Sequence, residues 1–305
     1  MRLATLVVCL MIGAGLSPAA PQKDKDTCPS NGRQAGRGIN FYSRARELAL
    51  GRDLAMDLER SVRLIDDPVV SEYINRIGRN LALNSNSQFV PRIRIIRSED
   101  TNSVTIPGGF IYINSGLIRA AHNEAELAAA LAHEIGHVAA RHYTRQASLT
   151  DLLGYSAIPL MFVGGLPGLM LQEGASLGAP LVWKKFSRSA EGEADRLGIQ
   201  YAYDAGYDPT AFVDLLERIS LQQLGKRNLI DKMMAEHPEI DSRIRAAQKQ
   251  IQNRLTPREQ YLLQTSEFDQ VKQRLITIES NGNVPRRPAY SSTPLDERPR
   301  IRRPD

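Results

Sequence analysis

Cysteine is scarce in this chain: two in 305 residues, Cys9 and Cys28. Cys9 lies in an apolar leader and Cys28 stands alone in a polar stretch, so no intrachain disulfide framework is expected. Tryptophan occurs once, at Trp183 in LVWKKF, where a membrane-interface anchor and plain core packing fit equally well. No run of Lys and Arg is interleaved with aromatics in the body of the chain. The net charge of +5 therefore gives no support to a nucleic-acid partner. Long apolar runs are also few. The uncharged segment 152–172 (LLGYSAIPLMFVGGLPGLMLQ) has the length to span a bilayer, but its prolines and glycines argue against a straight spanning helix. A buried hairpin, or one that touches a membrane surface, is the expectation there. Apolar content of 42% and charged content of 24% are ordinary for a folded protein, and the length allows one sizeable core with a small appendage.

What is present divides the chain. Residues 1–19 read as a signal peptide: Arg2 supplies the positive start, Leu3 to Leu16 the apolar run, and Ser17-Pro18-Ala19 the small residues for cleavage. An uncleaved anchor is the alternative. Residues 20–40 are a polar, flexible linker. From Ser43 a helical pattern carries Leu48, Leu54, Leu58, Val62 and Ile65, and Asp67-Pro68 breaks it. Val69 to Leu83 reads as a second helix. Val90 to Arg97 then alternates as a half-buried strand, Val104 to Ile106 is a short β-prone piece, and Phe110 to Asn114 is a third strand. Asn123 with Glu126 three residues on forms a capping box that opens an Ala-rich helix. Further helices are expected over Ser189 to Tyr203, Pro209 to Leu224 and Asp241 to Gln252. The main domain spans 41–253, a helical extension 254–279 follows, and the Pro/Arg-rich 280–305 is expected to be disordered. The fold class is α+β, mostly helical.

Histidine is rare too, five in all, yet three fall within Leu131 to His142, LAHEIGHVAARH. Residues four apart share a helix face, so His133 and His137 can point at one atom. Imidazole nitrogens bind zinc at about 2.0–2.1 Å, which this spacing permits without backbone strain. Glu134 lies about 100° round the helix, off the ligand face and suited to touch a water beside a metal. Leu127, Leu131, Ile135 and Val138 form the opposite, core-facing stripe. Gly136 costs helix stability, which suggests that something approaches closely there. The bland alternative is two helix histidines with solvent or core roles. A catalytic zinc needs a third protein ligand. Glu191 and Asp195, four apart in SRSAEGEADRLG, are candidates: Glu191 as ligand, Asp195 as acceptor for a ligand histidine's other ring nitrogen. Spacing alone makes this a weak signal, because such pairs are common on surface helices. Glu193 falls off that face and reads as solvated. His142, five residues after His137, reads as a surface or helix-end histidine, and His122 as a loop histidine.

Together, HEIGH, the Glu-x-x-x-Asp within RSAEGEADRLG, HPEIDSRI, ELALGRDLA and PGGFIYINSGLI resemble the HtpX-type and CAAX-prenyl-protease-like zinc endopeptidases, which are gluzincins. The likeness is nearest to the soluble exported quality-control branch and runs from about Phe41 to Gln252. It implies a zincin domain with a small mixed β-sheet beside the metal-binding helix. It also implies one zinc ion per chain, held by His133, His137 and Glu191, with Glu134 as the base and Asp195 behind the ligands. By the same resemblance Phe110, Ile111, Tyr112, Ile113 and Asn114, with Gly109 before them, would be the edge strand that receives an extended substrate. His237 would lie near the metal, able to reach it and hold the enzyme off. His237 and Arg243 are both candidates to stabilise an oxyanion. The chain departs from the family pattern at Asn102-Ser103-Val104-Thr105-Ile106, where relatives tend to show Asn-Ala-Phe-Ala.

The implied function is a zinc metalloendopeptidase of the periplasm that cuts unfolded or misfolded envelope proteins; segment 152–172 would give it a membrane-surface contact if the hairpin there is not buried. The competing reading is a chaperone-like clamp of the same fold with little turnover. Such a clamp would have no need of Glu134.

Overall fold

The computed structural model describes residues 35–36, 38–149, 186–226 and 237–280, with the backbone alone at 222–226 and 237–239. The expectations for the signal peptide, most of the linker, segment 152–172, Trp183 and the tail beyond 280 lie outside the described residues. So does the side chain of His237.

The first helix, α1 (Arg44–Ser61), opens on Ser43, whose hydroxyl accepts from the Arg46 N–H. It stops earlier than its apolar pattern suggests. Leu64–Ile65 forms a short strand, β1, because these two residues pair with the next strand instead of extending the helix. Helix α2 (Pro68–Leu83) starts on Asp67, which caps Val70, with Pro68 in the first turn where no N–H is needed. Strands β2 (Arg92–Ile96), β3 (Ser103–Ile106) and β4 (Phe110–Asn114) follow. The tight turn Pro107–Gly109 reverses β3 into β4, and it needs glycine because Gly108 and Gly109 take φ of 79° and 88°.

These strands form a four-stranded mixed sheet in the order β1-β2-β4-β3. β1 is antiparallel to β2, β2 parallel to β4, and β3 antiparallel to β4. The period-two pattern decides the faces. Ile93 and Ile95 of β2 with Ile111 and Ile113 of β4 enter the main core, together with α2 and the central helix. Tyr112, Ile96 and Ile106 face the other way, onto Ala55 and Leu58 of α1.

A short helix α3 (Ser115–Ala120) leads to the central helix α4 (Glu124–Ala140). Asn123 caps α4 through the Glu126 N–H, while the Glu126 carboxylate reaches back to the N–H of His122, one residue before the usual capping-box partner. Almost every α4 residue is buried, so its alanines are there to let neighbours approach on all sides. The helices α5 (Arg188–Asp204), α6 (Ala211–Lys226), α7 (His237–Arg254) and α8 (Ser266–Ser280) complete the described fold.

The segment 254–279, expected as an extension, belongs to the same core. Phe268, Val271 and Leu275 of α8 pack in one cluster with α2 and α4. Glu124, at the start of α4, accepts from Tyr73, Tyr207 and Thr265, which ties this segment to the central helix. Among the described residues, no helix is long and apolar enough to cross a membrane.

Candidate metal centre

The α4–α5 crossing builds the site. Gly136 lies so close to α5 that a Cβ there would stand 2.8 Å from the Ala194 carbonyl oxygen, and one on Gly198 would stand 2.8 Å from the His133 backbone nitrogen. Two glycines thus let the helices meet backbone to backbone. The close approach inferred from Gly136 is real, and its partner is α5. One turn toward the start of α5, the same contact brings Glu191 and Asp195 over the two histidines.

His133 Nε2 and His137 Nε2 lie 3.1 Å apart. Glu191 stands 3.6 Å from each, through Oε2 to His133 and Oε1 to His137. One ligand atom from each of the three residues falls within 4.8 Å of the others. Ligands on a tetrahedral ion with bonds of about 2.0–2.1 Å are separated by about 3.3 Å, and the observed spacings bracket that value. Two ring nitrogens 3.1 Å apart also need a cation or a proton between them. By geometry and donor chemistry, the set fits zinc.

Each histidine has a partner behind it. His133 Nδ1 is 2.8 Å from Asp195 Oδ1, close but poorly aligned for a hydrogen bond. Asp195 is held in turn by Arg243, whose Nε and Nη2 each donate at 2.7 Å to its two oxygens. The third nitrogen of that guanidinium, Nη1, is 3.7 Å from Glu191 Oε2. Arg243 therefore sits in the site, but its fork is committed to Asp195, which is a bracing geometry. The sequence offered Arg243 as an oxyanion donor; the structure places it in the site, with Nε and Nη2 engaged by Asp195.

His137 is supported differently. Its Nδ1 meets His142 Nδ1 at 2.9 Å, and His142 Nε2 meets Glu193 Oε2 at 3.1 Å. With both imidazoles neutral the network runs one way: Glu193 accepts from His142 Nε2–H, and His142 Nδ1 accepts from His137 Nδ1–H, leaving His137 Nε2 as a free lone pair. Phe186 stacks on the His137 ring with centroids 4.2 Å apart. Both His142 and Glu193 were expected to lie away from the site. The physical reason is Arg141, which takes a left-handed conformation (φ 54°), ends α4 and turns the following helical stretch, 142–149, back toward His137. Helical spacing across that break misplaces His142. Loss of an outer partner of this kind typically weakens metal binding about 10–100-fold. His142→Ala is expected to show a loss of that size in competition with a chromogenic chelator.

Charge follows the same geometry. Burial, reinforced by His133 and His142, holds the His137 pKa well below the usual imidazole value, so it is neutral and able to ligate. Burial opposes charge on His133 too, but Asp195 and Glu134 outweigh it and raise its pKa. Burial likewise raises the pKa of Glu191 against the pull of His133 and Arg243. Burial works against the Asp195 carboxylate, yet His133 and Arg243 keep its pKa below the ordinary value.

Glu134 is buried on the β3 side of α4. Ser103 Oγ donates to its Oε1 at 2.6 Å, and Thr105 Oγ1 donates to its Oε2. The sequence marks this stretch only as a departure from the family pattern and gives neither hydroxyl a role, because Ser and Thr in a short strand look the same whether they face solvent or a carboxylate.

A family model described as Peptidase family M48 matches residues 68–251, which include β2 to β4 and every residue of the site just described. The chain belongs to peptidase family M48. Among its relatives, Beta-barrel assembly-enhancing protease of Escherichia coli (strain K12) is 31% identical over 303 residues, covering 96% of this chain. The chain spans 59% of that relative's own length. Mitochondrial metalloendopeptidase OMA1 of Schizosaccharomyces pombe is 28% identical over 240 residues, 69% of this chain and 68% of the relative. Metalloprotease LoiP of Escherichia coli (strain K12) is 26% identical over 245 residues, 78% of this chain and 92% of the relative.

One M48 expectation needs correction. Phe110 to Asn114 is not an edge strand: β4 is paired along its length with β2 on one side and β3 on the other. Gly109 is buried in the turn against Phe89 and Val90. Among the described residues, the strand with an unpaired side next to α4 is β3.

Proposed function

We propose that this M48 chain is a zinc-dependent endopeptidase that cuts extended segments of unfolded or misfolded proteins, with one zinc ion held by His133, His137 and Glu191. The observation that carries this reading is the convergence of those three donors beside a buried carboxylate, Glu134, that is not one of them. When bound, the zinc ion would supply Lewis-acid activation of a water molecule and of the scissile carbonyl. Glu134 takes the proton of the attacking water as the C–O bond forms, then gives it to the leaving nitrogen as the C–N bond breaks. Asp195 and His142 keep the ligand imidazoles turned to the ion. Arg243 braces Asp195.

The unpaired side of β3 supports strand addition as the mode of substrate binding, with main-chain hydrogen bonds and little sequence preference. An exported, periplasmic site of action fits the signal-like residues 1–19, and envelope proteins would then be the substrates. The test is metal removal. Reduced, unfolded casein incubated with the purified protein should be fragmented, fragmentation should stop after chelation, and added zinc should restore it. Fragmentation that persists in the metal-stripped protein would refute the reading.

A further inference from the structure

We infer that Ser103 and Thr105 are positioning residues for Glu134, fixing the carboxylate in the one orientation in which it handles the proton. The inference rests on the reading of Glu134 as the base. Ser103 and Thr105 are two apart on β3, so their side chains leave the strand on the same face, toward α4. Each takes a different oxygen of the carboxylate: Ser103 Oγ donates to Oε1 at 2.6 Å and Thr105 Oγ1 to Oε2. A glutamate has three rotatable side-chain bonds, and a two-point grip on its terminal oxygens removes most of that freedom. Glu134 and Thr105 are both buried, so water does not offer an equal substitute for the hydroxyls.

The grip leaves the chemistry open. Each carboxylate oxygen has two acceptor positions and gives only one to a hydroxyl. The water's proton can go to a remaining position as the C–O bond forms, and it leaves from there to the nitrogen as the C–N bond breaks. Both hydroxyls stay intact throughout. The strand whose side is unpaired among the described residues, and which the proposed function gives to substrate, is thus also the strand that aims the base.

The experiment compares Ser103→Ala/Thr105→Val, which removes both hydroxyls at nearly constant volume, with Ser103→Thr/Thr105→Ser, which keeps them. The first should lower kcat on casein-derived peptides by about 10–100-fold, the scale at which misplacing a catalytic group is felt. KM should stay within about twofold of wild type. The second should recover kcat to within about threefold. Zinc content should be one per chain in both. A crystal structure of the metal-free first variant should show Glu134 in more than one rotamer, where that of wild type should show one. The inference is overturned if the first variant keeps kcat within about threefold of wild type, loses zinc, or raises KM as strongly as it lowers kcat. A single unchanged Glu134 rotamer would overturn it as well. Glu134→Gln, measured alongside, separates the two readings: full turnover there removes the base itself, whereas its loss together with normal kcat in the hydroxyl-free variant removes only the grip.

Discussion

Glu134→Gln is expected to lower kcat for peptide cleavage by about 10³-fold while leaving one zinc ion per chain, since proton transfer by a positioned side chain is worth about 10²–10⁴-fold. The substitution is close to isosteric, and its amide oxygen can still accept one of the two hydroxyls of β3. What it cannot do at neutral pH is take a proton from water. Metal binding should survive because Glu134 lies off the face that carries His133 and His137, and it is not one of the three grouped donors. A variant that bound zinc and cut casein at the wild-type rate would remove Glu134 from the chemistry. The same variant also distinguishes a peptidase from a clamp, because binding of unfolded protein without turnover would be indifferent to the change.

Glu191→Ala is expected to have the other large effect, on the metal itself. Glu191 brings the negative charge of the set and approaches both Nε2 atoms at 3.6 Å. Without it, two neutral imidazoles and solvent remain, and the loss of zinc affinity should exceed the about 10–100-fold typical of an outer partner. Stability should suffer less. Burial of the carboxylate pushes its pKa up against the pull of His133 and Arg243, so its charge is held at a cost in the metal-free protein. Equilibrium dialysis against buffered zinc checks the first statement, and thermal unfolding of the metal-free variant checks the second. Near-complete zinc retention by Glu191→Ala would take this residue out of the coordination set.

The helical part of the site was legible from spacing. Four-residue intervals survive in the folded helices: His133 with His137 on α4, and Glu191 with Asp195 on α5. The strand at Phe110 to Asn114 was legible to the residue. Its place in the sheet was not. Alternation of Ile and Arg tells which face is buried, but strand order depends on pairings far apart in the chain, and β3 folds back onto the side of β4 expected to be open. Ile65 continues the apolar period of α1, yet pairing of Leu64 and Ile65 with β2 draws it into a strand. His142 was hidden by a single backbone event, the left-handed turn at Arg141, which no periodicity reports. Arg243 was recognised as a site residue, but its role depends on where Asp195 points, and that is fixed only when α5 and α7 pack together.

The most direct measurement is a crystal structure of the zinc-loaded protein, with anomalous scattering recorded on both sides of the zinc absorption edge. A single strong zinc peak is expected, at about 2.0–2.2 Å from His133 Nε2, His137 Nε2 and a carboxylate oxygen of Glu191. A zinc peak bound elsewhere, or one from which Glu191 is turned away, would contradict the account.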